Sequence, residues 1–513
     1  MTTSLKQVSS SLCRLLSIFA VLALPVLALP AAAANFTIGM NSDPDVLDPA
    51  QGGSVAGRVV FAAMCDKLVD VTPDGGFQPQ LATNWTWSDD NLSLTLTLRP
   101  GVLFHDGTSM DAEAVKANLD RYRTNPISRR KNELKSIDTV EVVDQLTVRI
   151  VLSKPYAPLV VALSDRSGMM VSPTAVAAVG DDIGLAPVCA GPFAFVERIA
   201  QDHITVQKFP DYWDADNVFL DTVTYRIIPD STVRLFGLRS GDLDMIERVS
   251  PTDISAINAD PAITLIDGPS IAYDQLNINI NSGPAGDNPL GNSALVRRAL
   301  NLAIDRDVIN QVVYDGHFVP GNQHELNGTP YWDASSPAMP RDIDQAKALL
   351  AEAGVPNPSF TLMASNNPTS TRLAEIIQAM AAEAGFDIKI QALSPASWVA
   401  AAKAGEYEAT IPIWSGRPDP DANLTPWTAC TGFLNWGKWC DPEYDALLDK
   451  ARQITDVAGR KALYDQANAI FLEEMPQIIL YHYKSFWATG ADVSGFVPYA
   501  DGLIRLKGIK TGD

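Results

Sequence analysis

The stretch FTLMASNNPTSTRLAEIIQAMAAEAGFDIKIQALSPASWVAAAKAGEYEATIPIW, Phe360–Trp414, decides the fold class. Apolar runs at Phe360–Met363, Phe386–Leu393 and Tyr407–Trp414 read as strands. Between them Thr371–Ala384 and Ala396–Ala404 read as helices, stopped by Gly385 and Gly405, the residue type that ends helices most readily. Strand, helix, strand, helix, strand predicts a parallel sheet wrapped by helices, so this part of the chain is α/β.

Downstream, helices begin near Glu443 and Gly459, Gln477–Tyr483 is a final strand, and the tail reads as irregular. Upstream, Ile343–Ala353 is a helix closed by Gly354, and Ser293–Val313 reads as one helix with Leu295, Ala299, Leu302, Val308 and Val312 near helical spacing. Tyr273–Asn281 alternates, with Leu276, Ile278 and Ile280 on one side. Before it the chain is richer in strands: Phe36–Met40, Phe193–Glu197, Ile204–Phe209, Val223–Ile228 and Asp244–Ile246, with a helix at Thr232–Leu238. Leu92, Leu94, Leu96 and Leu98 alternate as a half-buried strand. A helix capped by Asp111 runs to about Arg123, and Glu141–Val143 with Leu146–Leu152 forms a hairpin. Together these make a satellite β-rich segment of roughly 100 residues.

The first 34 residues read as a secretory signal peptide. Lys6 and Arg14 are positive, Leu15–Leu29 is apolar, and Pro30 with Ala31–Ala34 offers a cleavage site before Asn35. Cys13 precedes the apolar run, so it does not resemble a lipid-anchored start. The remaining 479 residues exceed one core, which predicts two or three domains working outside the cytoplasm. The net charge is −21, and loss of the two positive charges of Lys6 and Arg14 makes it −23. No basic cluster exceeds Arg129-Arg130-Lys131, which argues against nucleic acid as a partner. Cys65, Cys189, Cys430 and Cys440 suggest two disulfides in an oxidising compartment. Cys430–Cys440 closes a short loop and is the favoured pair, leaving Cys65–Cys189.

Ligands of open α/β sheets bind beyond the carboxyl ends of strands. The strand ending at Trp414 runs into Trp414-Ser415-Gly416-Arg417-Pro418-Asp419-Pro420-Asp421. An aromatic platform, a cation, two acids and two prolines suit a rigid grip on a small polar or zwitterionic solute. A calcium loop over Asp419, Asp421 and Asn423 fails, because Leu424 stands where Gly is needed and Cys430 where Glu is needed. Enzyme motifs are poor. There is no G-x-S-x-G and no H-E-x-x-H, and Ser128-x-x-Lys131 with Lys510-Thr511-Gly512 only loosely matches a penicillin-recognising serine enzyme. His317 and His324, the only close histidine pair, fit surface positions better than a metal site.

Seven short stretches carry a family resemblance: Leu47–Pro49 (LDP), Gly101–Thr108 (GVLFHDGT), Ala190–Phe193 (AGPF), Pro210–Asp214 (PDYWD), Leu238–Ile246 (LRSGDLDMI), Val296–Ile309 (VRRALNLAIDRDVI) and Ala346–Gly354 (AKALLAEAG). In this order and spacing the chain resembles the family 5 extracellular solute-binding proteins, the periplasmic binders of peptide and nickel ABC importers. The resemblance implies a two-lobed, hinged α/β clamp with an extra β-rich domain: lobe I from 35–75, 184–270 and 480–513, the β-rich domain at 76–183 and lobe II at 275–475. The hinge crossings would fall near Pro269–Tyr273 and Pro476–Tyr483.

It further implies capture of a small peptide or peptide-like solute by hinge closure in the periplasm, and delivery to an inner-membrane ABC permease with a cytoplasmic ATPase. No catalysis, no cofactor, no metal and a monomeric state are implied with it. Family members that bind peptides often carry an Asp after the loop Trp, paired with the peptide amino terminus. Arg417 stands there in this chain, which would repel an ammonium and favour carboxylate or phosphate. Asp419 could still accept the amine. An anionic conjugate, an opine, a sugar phosphate, or a nickel or haem chelate remains an alternative ligand. Trp414 and Trp398 are candidates to stack on the ligand, and Tyr273, Gly53 and Ser54 are further pocket candidates by position.

Overall fold

A computed structural model describes residues 33–73 and 75–512. The leader features, from Lys6 and Cys13 through Pro30, lie outside the described residues. Among the described residues no helix is long and apolar enough to cross a membrane.

The predicted strand–helix alternation is present. Ser359–Ser365 pairs in parallel with Asp387–Leu393 on one side and with Ala409–Thr410 on the other. The helices Pro368–Ala382 and Pro395–Ala404 connect them, with Asn367 and Ser394 as N-caps and Gly405 as a left-handed C-cap. The expected strand Tyr407–Trp414 is instead two short pieces, Ala409–Thr410 and Ile413–Trp414, both antiparallel to Ile263–Ile278. Pro412 lies between them and has no N–H to offer a ladder.

These strands form one end of a large mixed sheet whose spine is the antiparallel pair Ile263–Ile278 and Gln477–Gly490. Both are longer than the alternation at 273–281 and 477–483 indicates. The register shifts between Pro269 and Tyr273 and again between Asp274 and Gln275. Tyr273–Ile278 is buried on both faces, so alternation there marks no solvent side. On the other side of the spine lie Met245–Glu247, Asn35–Met40, Thr222–Ile227, His203–Lys208 and Phe193–Ile199, in that order.

A separate four-stranded antiparallel sheet runs Ala82–Trp87, Ser93–Leu98, Thr147–Leu152, Ile137–Asp144. Leu94, Leu96 and Leu98 face inward beneath the helix Ala112–Thr124, which Asp111 caps as its sequence position indicates. Each such buried leucine contributes roughly 1.5–3 kcal/mol. The apolar residues gather in separate cores, one around Leu300, Leu362 and Ile377, one around Phe36, Phe61 and Tyr225, and one around Leu96, Phe104 and Tyr122.

Four further expectations need correction. Ser293–Val313 is two helices, Ala294–Ala303 and Arg306–Tyr314, because the Asp305 carboxylate caps the second by accepting from Val308 N at 3.0 Å. The tail is not wholly irregular, since Val493–Ser494 pairs with Lys510–Thr511. Pro420–Thr428 is a helix rather than loop: Asp419 is its N-cap and Pro420 takes the first position, where the missing N–H costs nothing. His324 is buried, not at the surface, and its Nε2 contacts Gln477 Oε1 at 3.1 Å. The disulfides are Cys65–Cys189 and Cys430–Cys440.

Candidate functional site

The loop after Trp414 is organised by one side chain. Asn423, in the first turns of the helix Pro420–Thr428, accepts from Trp414 Nε1 at 3.0 Å and from Arg417 N at 2.8 Å. Its amide nitrogen donates to Arg417 O at 2.9 Å and to Glu325 Oε1 at 3.1 Å. Gly416 completes the bend. Its φ is +69°, and a Cβ there would sit 2.0 Å from Ile271 O, so only glycine lets the loop press against the spine strand. The result holds the Arg417 guanidinium 4.9 Å from the Trp414 ring, and Arg417 Nη1 donates to Ser415 Oγ at 3.1 Å.

Arg417 points at a group of charges from distant parts of the chain. Its Nε is 3.8 Å from Asp165 Oδ2. Arg58, on the helix Val55–Met64, reaches Asp165 Oδ1 at 3.1 Å, and Arg166 Nε lies 3.6 Å from the same oxygen. Arg130 stands behind, paired with Glu133 at 2.7 Å. Four guanidinium groups thus share two carboxylates. Burial alone would raise the Asp165 carboxyl, but the surrounding arginines Arg58, Arg166, Arg417 and Arg130 together hold it well below the usual range. Burial lowers Arg417, and burial with its like-charged neighbours brings Arg166 down to about 9 despite Asp165. The Nε groups of Arg130 and Arg166 are buried without a hydrogen-bond partner. A buried cluster with surplus positive charge and unused donors has the chemistry to receive an anion, with guanidinium forks matched to carboxylate.

The small-residue loop expected near the ligand lies against this cluster. Gly52 O accepts from Arg166 Nη1 at 3.0 Å and from Arg130 Nη2 at 3.3 Å. A Cβ on Gly53 would meet Arg129 Nη1 at 2.1 Å, and Gly53 N donates to Asp45 Oδ2 at 2.8 Å. Ser54 caps the helix Val55–Met64 and donates through Oγ to Asp45 Oδ1 at 2.7 Å.

Asp419 has a different surrounding from the open loop its sequence indicates. It is 4% exposed, and Arg460 grips both its oxygens, Nη1 to Oδ2 at 2.6 Å and Nη2 to Oδ1 at 2.8 Å. Asp421 is likewise held by Arg452 at 2.9 Å. Tyr273 is wholly buried, directly across the ladder from Trp414, with its ring edge-on to His324 and His482; its hydroxyl has no hydrogen-bond partner. Trp398 is partly exposed, donates to Thr410 Oγ1 at 2.7 Å and begins a row of edge-on indoles, Trp398, Trp436, Trp427 and Trp414. Cys430–Cys440 closes the loop that carries Trp436.

The structure therefore brings together Trp414, Arg417, Gly53 and Ser54 around the arginines, and sets Asp419 into a structural ion pair. Sequence reasoning missed Arg58, Asp165, Arg166 and Glu325, and met Asn423 only in the rejected calcium loop. Arg130 lay in the Arg129-Arg130-Lys131 run, read only as a test for nucleic acid. The Ser128 of the S-x-x-K match is buried and donates to Tyr122 O at 2.7 Å. Among the described residues no group of three or more His, Cys, Asp or Glu side chains is placed to hold a metal ion.

The description "bacterial extracellular solute-binding proteins, family 5 Middle" matches residues 76–435. The glutathione-binding protein GsiB of Pectobacterium atrosepticum is 30% identical over 500 residues, covering 93% of this chain and 94% of its own. Among solved structures, the binding protein AgaA of A. tumefaciens R10 in complex with agropinic acid is 29% identical, with a TM-score of 0.79 over 93% of this chain and 99% of that one. HbpA2 of Haemophilus parasuis is 27% identical, with a TM-score of 0.81 over 93% and 100%. The fold is that of the two-lobed solute-binding clamp with its added β-rich domain. The chain belongs to the family 5 extracellular solute-binding proteins of ABC importers.

Proposed function

We propose that this chain captures a small peptide or peptide-like solute bearing a carboxylate in the periplasm, and hands it to an inner-membrane ABC permease coupled to a cytoplasmic ATPase. The carrying observation is the arginine cluster. Arg58 belongs to the proposed lobe I (35–75, 184–270, 480–513), Arg130 and Arg166 to the β-rich domain (76–183), and Arg417 to lobe II (275–475). Hinge motion along the spine strands, near Pro269–Tyr273 and Pro476–Tyr483, would bring Arg417 up to its partners and enclose the ligand's acid group. Trp414 and Trp398 supply stacking surfaces, Gly53 and Ser54 shape the opposite wall, and Tyr273 supports the loop from below. Asp419 braces the loop through Arg460.

The names of two relatives support an acidic ligand. One binds glutathione, a tripeptide with two carboxylates, and one binds agropinic acid. The second favours an opine-like acid as the alternative solute. In this reading the chain does no chemistry, acts as a monomer, and starts near Asn35 after removal of its leader. A thermal-shift panel on refolded protein tests it, with dipeptides, tripeptides, glutathione, opines, sugar phosphates, haem and nickel chelates. A true ligand at a hundredfold excess over its Kd stabilises by about 2.7 kcal/mol. Shifts with peptides or opines support the reading, and shifts confined to haem or nickel chelates overturn it.

A further inference from the structure

The arginine cluster answers a carboxylate, but a peptide also carries an ammonium group, and the loop acids are already engaged. Asp419 is bound by Arg460 and Asp421 by Arg452. Glu325 is different. It is partly buried and, among the described residues, has no ion pair. Its Oε1 accepts at 3.1 Å from the Asn423 amide that also fixes Trp414 and Arg417, so the carboxylate stands beside the loop that aims the guanidinium.

Tyr273, across the ladder from Trp414, is 0% exposed with an unpartnered hydroxyl, and the Glu325 charge is close enough to raise it further above a level that burial has already raised. A partly desolvated carboxylate with no cation within ion-pair distance is costly, and a ligand ammonium is a group that removes the cost. We propose that Glu325 receives the ammonium of the ligand, beside the Asn423-held loop that carries Arg417, so that the cleft selects solutes with a free amine. This rests on the cleft being the solute site.

The electrostatics agree. Burial, the largest influence, pushes the Glu325 carboxyl up to about 7; Asp419 adds to it, while the Asn423 amide and Arg460 pull it down. Tyr273 and Tyr331 also face this charge.

The test is affinity capture from a synthetic di- and tripeptide library, presented with free amines and again after N-acetylation, on wild type and Glu325→Gln, read by mass spectrometry. Gln keeps an oxygen for the Asn423 amide, and the acetylated arm on wild type needs no variant to fold. The expected result is capture of the free-amine library by wild type, with roughly 10- to 100-fold less capture after acetylation or in E325Q. Equal capture of both libraries by wild type overturns the assignment of Glu325 and leaves the peptide reading standing. Capture of neither library by folded wild type overturns the peptide reading itself.

Discussion

Replacing Asp419 by Asn separates the two roles that its position allows. Asn is as good a helix N-cap as Asp, so the start of Pro420–Thr428 survives and only the charge is lost. The partner Arg460 is 5% exposed and would be left as a buried cation without its counter-ion. Removing one member of such a pair costs about 3–5 kcal/mol. Arg460 keeps bonds to Tyr331 Oη, Tyr464 Oη and Ala451 O, which places the expected loss near the lower end, about 3 kcal/mol. With a urea slope of about 2–3 kcal/mol/M, the transition reported by the indole row should move down by about 1 M. Urea melts followed by tryptophan fluorescence, which reports the indole row next to this pair, read the shift directly. The double variant Asp419→Leu/Arg460→Met should regain most of the stability. Affinity for an acidic peptide should change less than threefold, about 0.65 kcal/mol or less. An unchanged urea midpoint with a tenfold or greater loss of free-amine peptide binding would refute the reasoning, because it would make Asp419 the amine acceptor and the Arg460 pair incidental.

Other outcomes follow from the same structure. Asn423→Ala removes the acceptor for Trp414 Nε1 and Arg417 N together, and should cost about 2–3 kcal/mol by urea melt while weakening solute binding. Asp274 is buried on the spine strand and accepts from Tyr481; burial raises its carboxyl to about 7 against the pull of the tyrosines. A raised acid favours the folded state while protonated, so its contribution is complete below its unfolded value of 3.8 and fades as pH rises through 7. Between pH 5 and 7 wild type should lose roughly 2–3 kcal/mol relative to Asp274→Asn, and parallel pH profiles of the two proteins would contradict this. Opening Cys430–Cys440 with Cys430→Ser/Cys440→Ser should cost about 2.7 kcal/mol from loop-closure entropy, read as a lower urea midpoint.

The elements with strong periodicity were legible in the chain. The 360–414 alternation, the Asp111 cap and the leucines of Ser93–Leu98 are local signals, and each appears where its residues indicate. Boundaries failed where a single residue overrode periodicity: Asp305 restarts a helix within 293–313, and Pro412 divides a strand. The helix Pro420–Thr428 was hidden because Pro and Asp mark turns as readily as helix starts.

The candidate site was half legible. Trp414 and Arg417 stand out because a strand end leads into them. Arg58, Arg130, Asp165 and Arg166 come from three separate stretches, and only the fold makes them neighbours of Arg417. The ion pair of Asp419 was hidden for the same reason, since nothing near it in sequence announces Arg460, 41 residues on.

The central claim is that the arginine cluster, closed by Arg417, holds the carboxylate of the solute. Calorimetric titration of wild type and Arg417→Ala with the strongest peptide from the panel, as free acid and as carboxamide, tests it most directly. Amidation should weaken binding to wild type by roughly 10- to 100-fold and should matter far less to Arg417→Ala, whose affinity for the acid is already reduced. An equal amidation penalty in both proteins would contradict the claim, because the carboxylate would then be held somewhere that Arg417 does not reach.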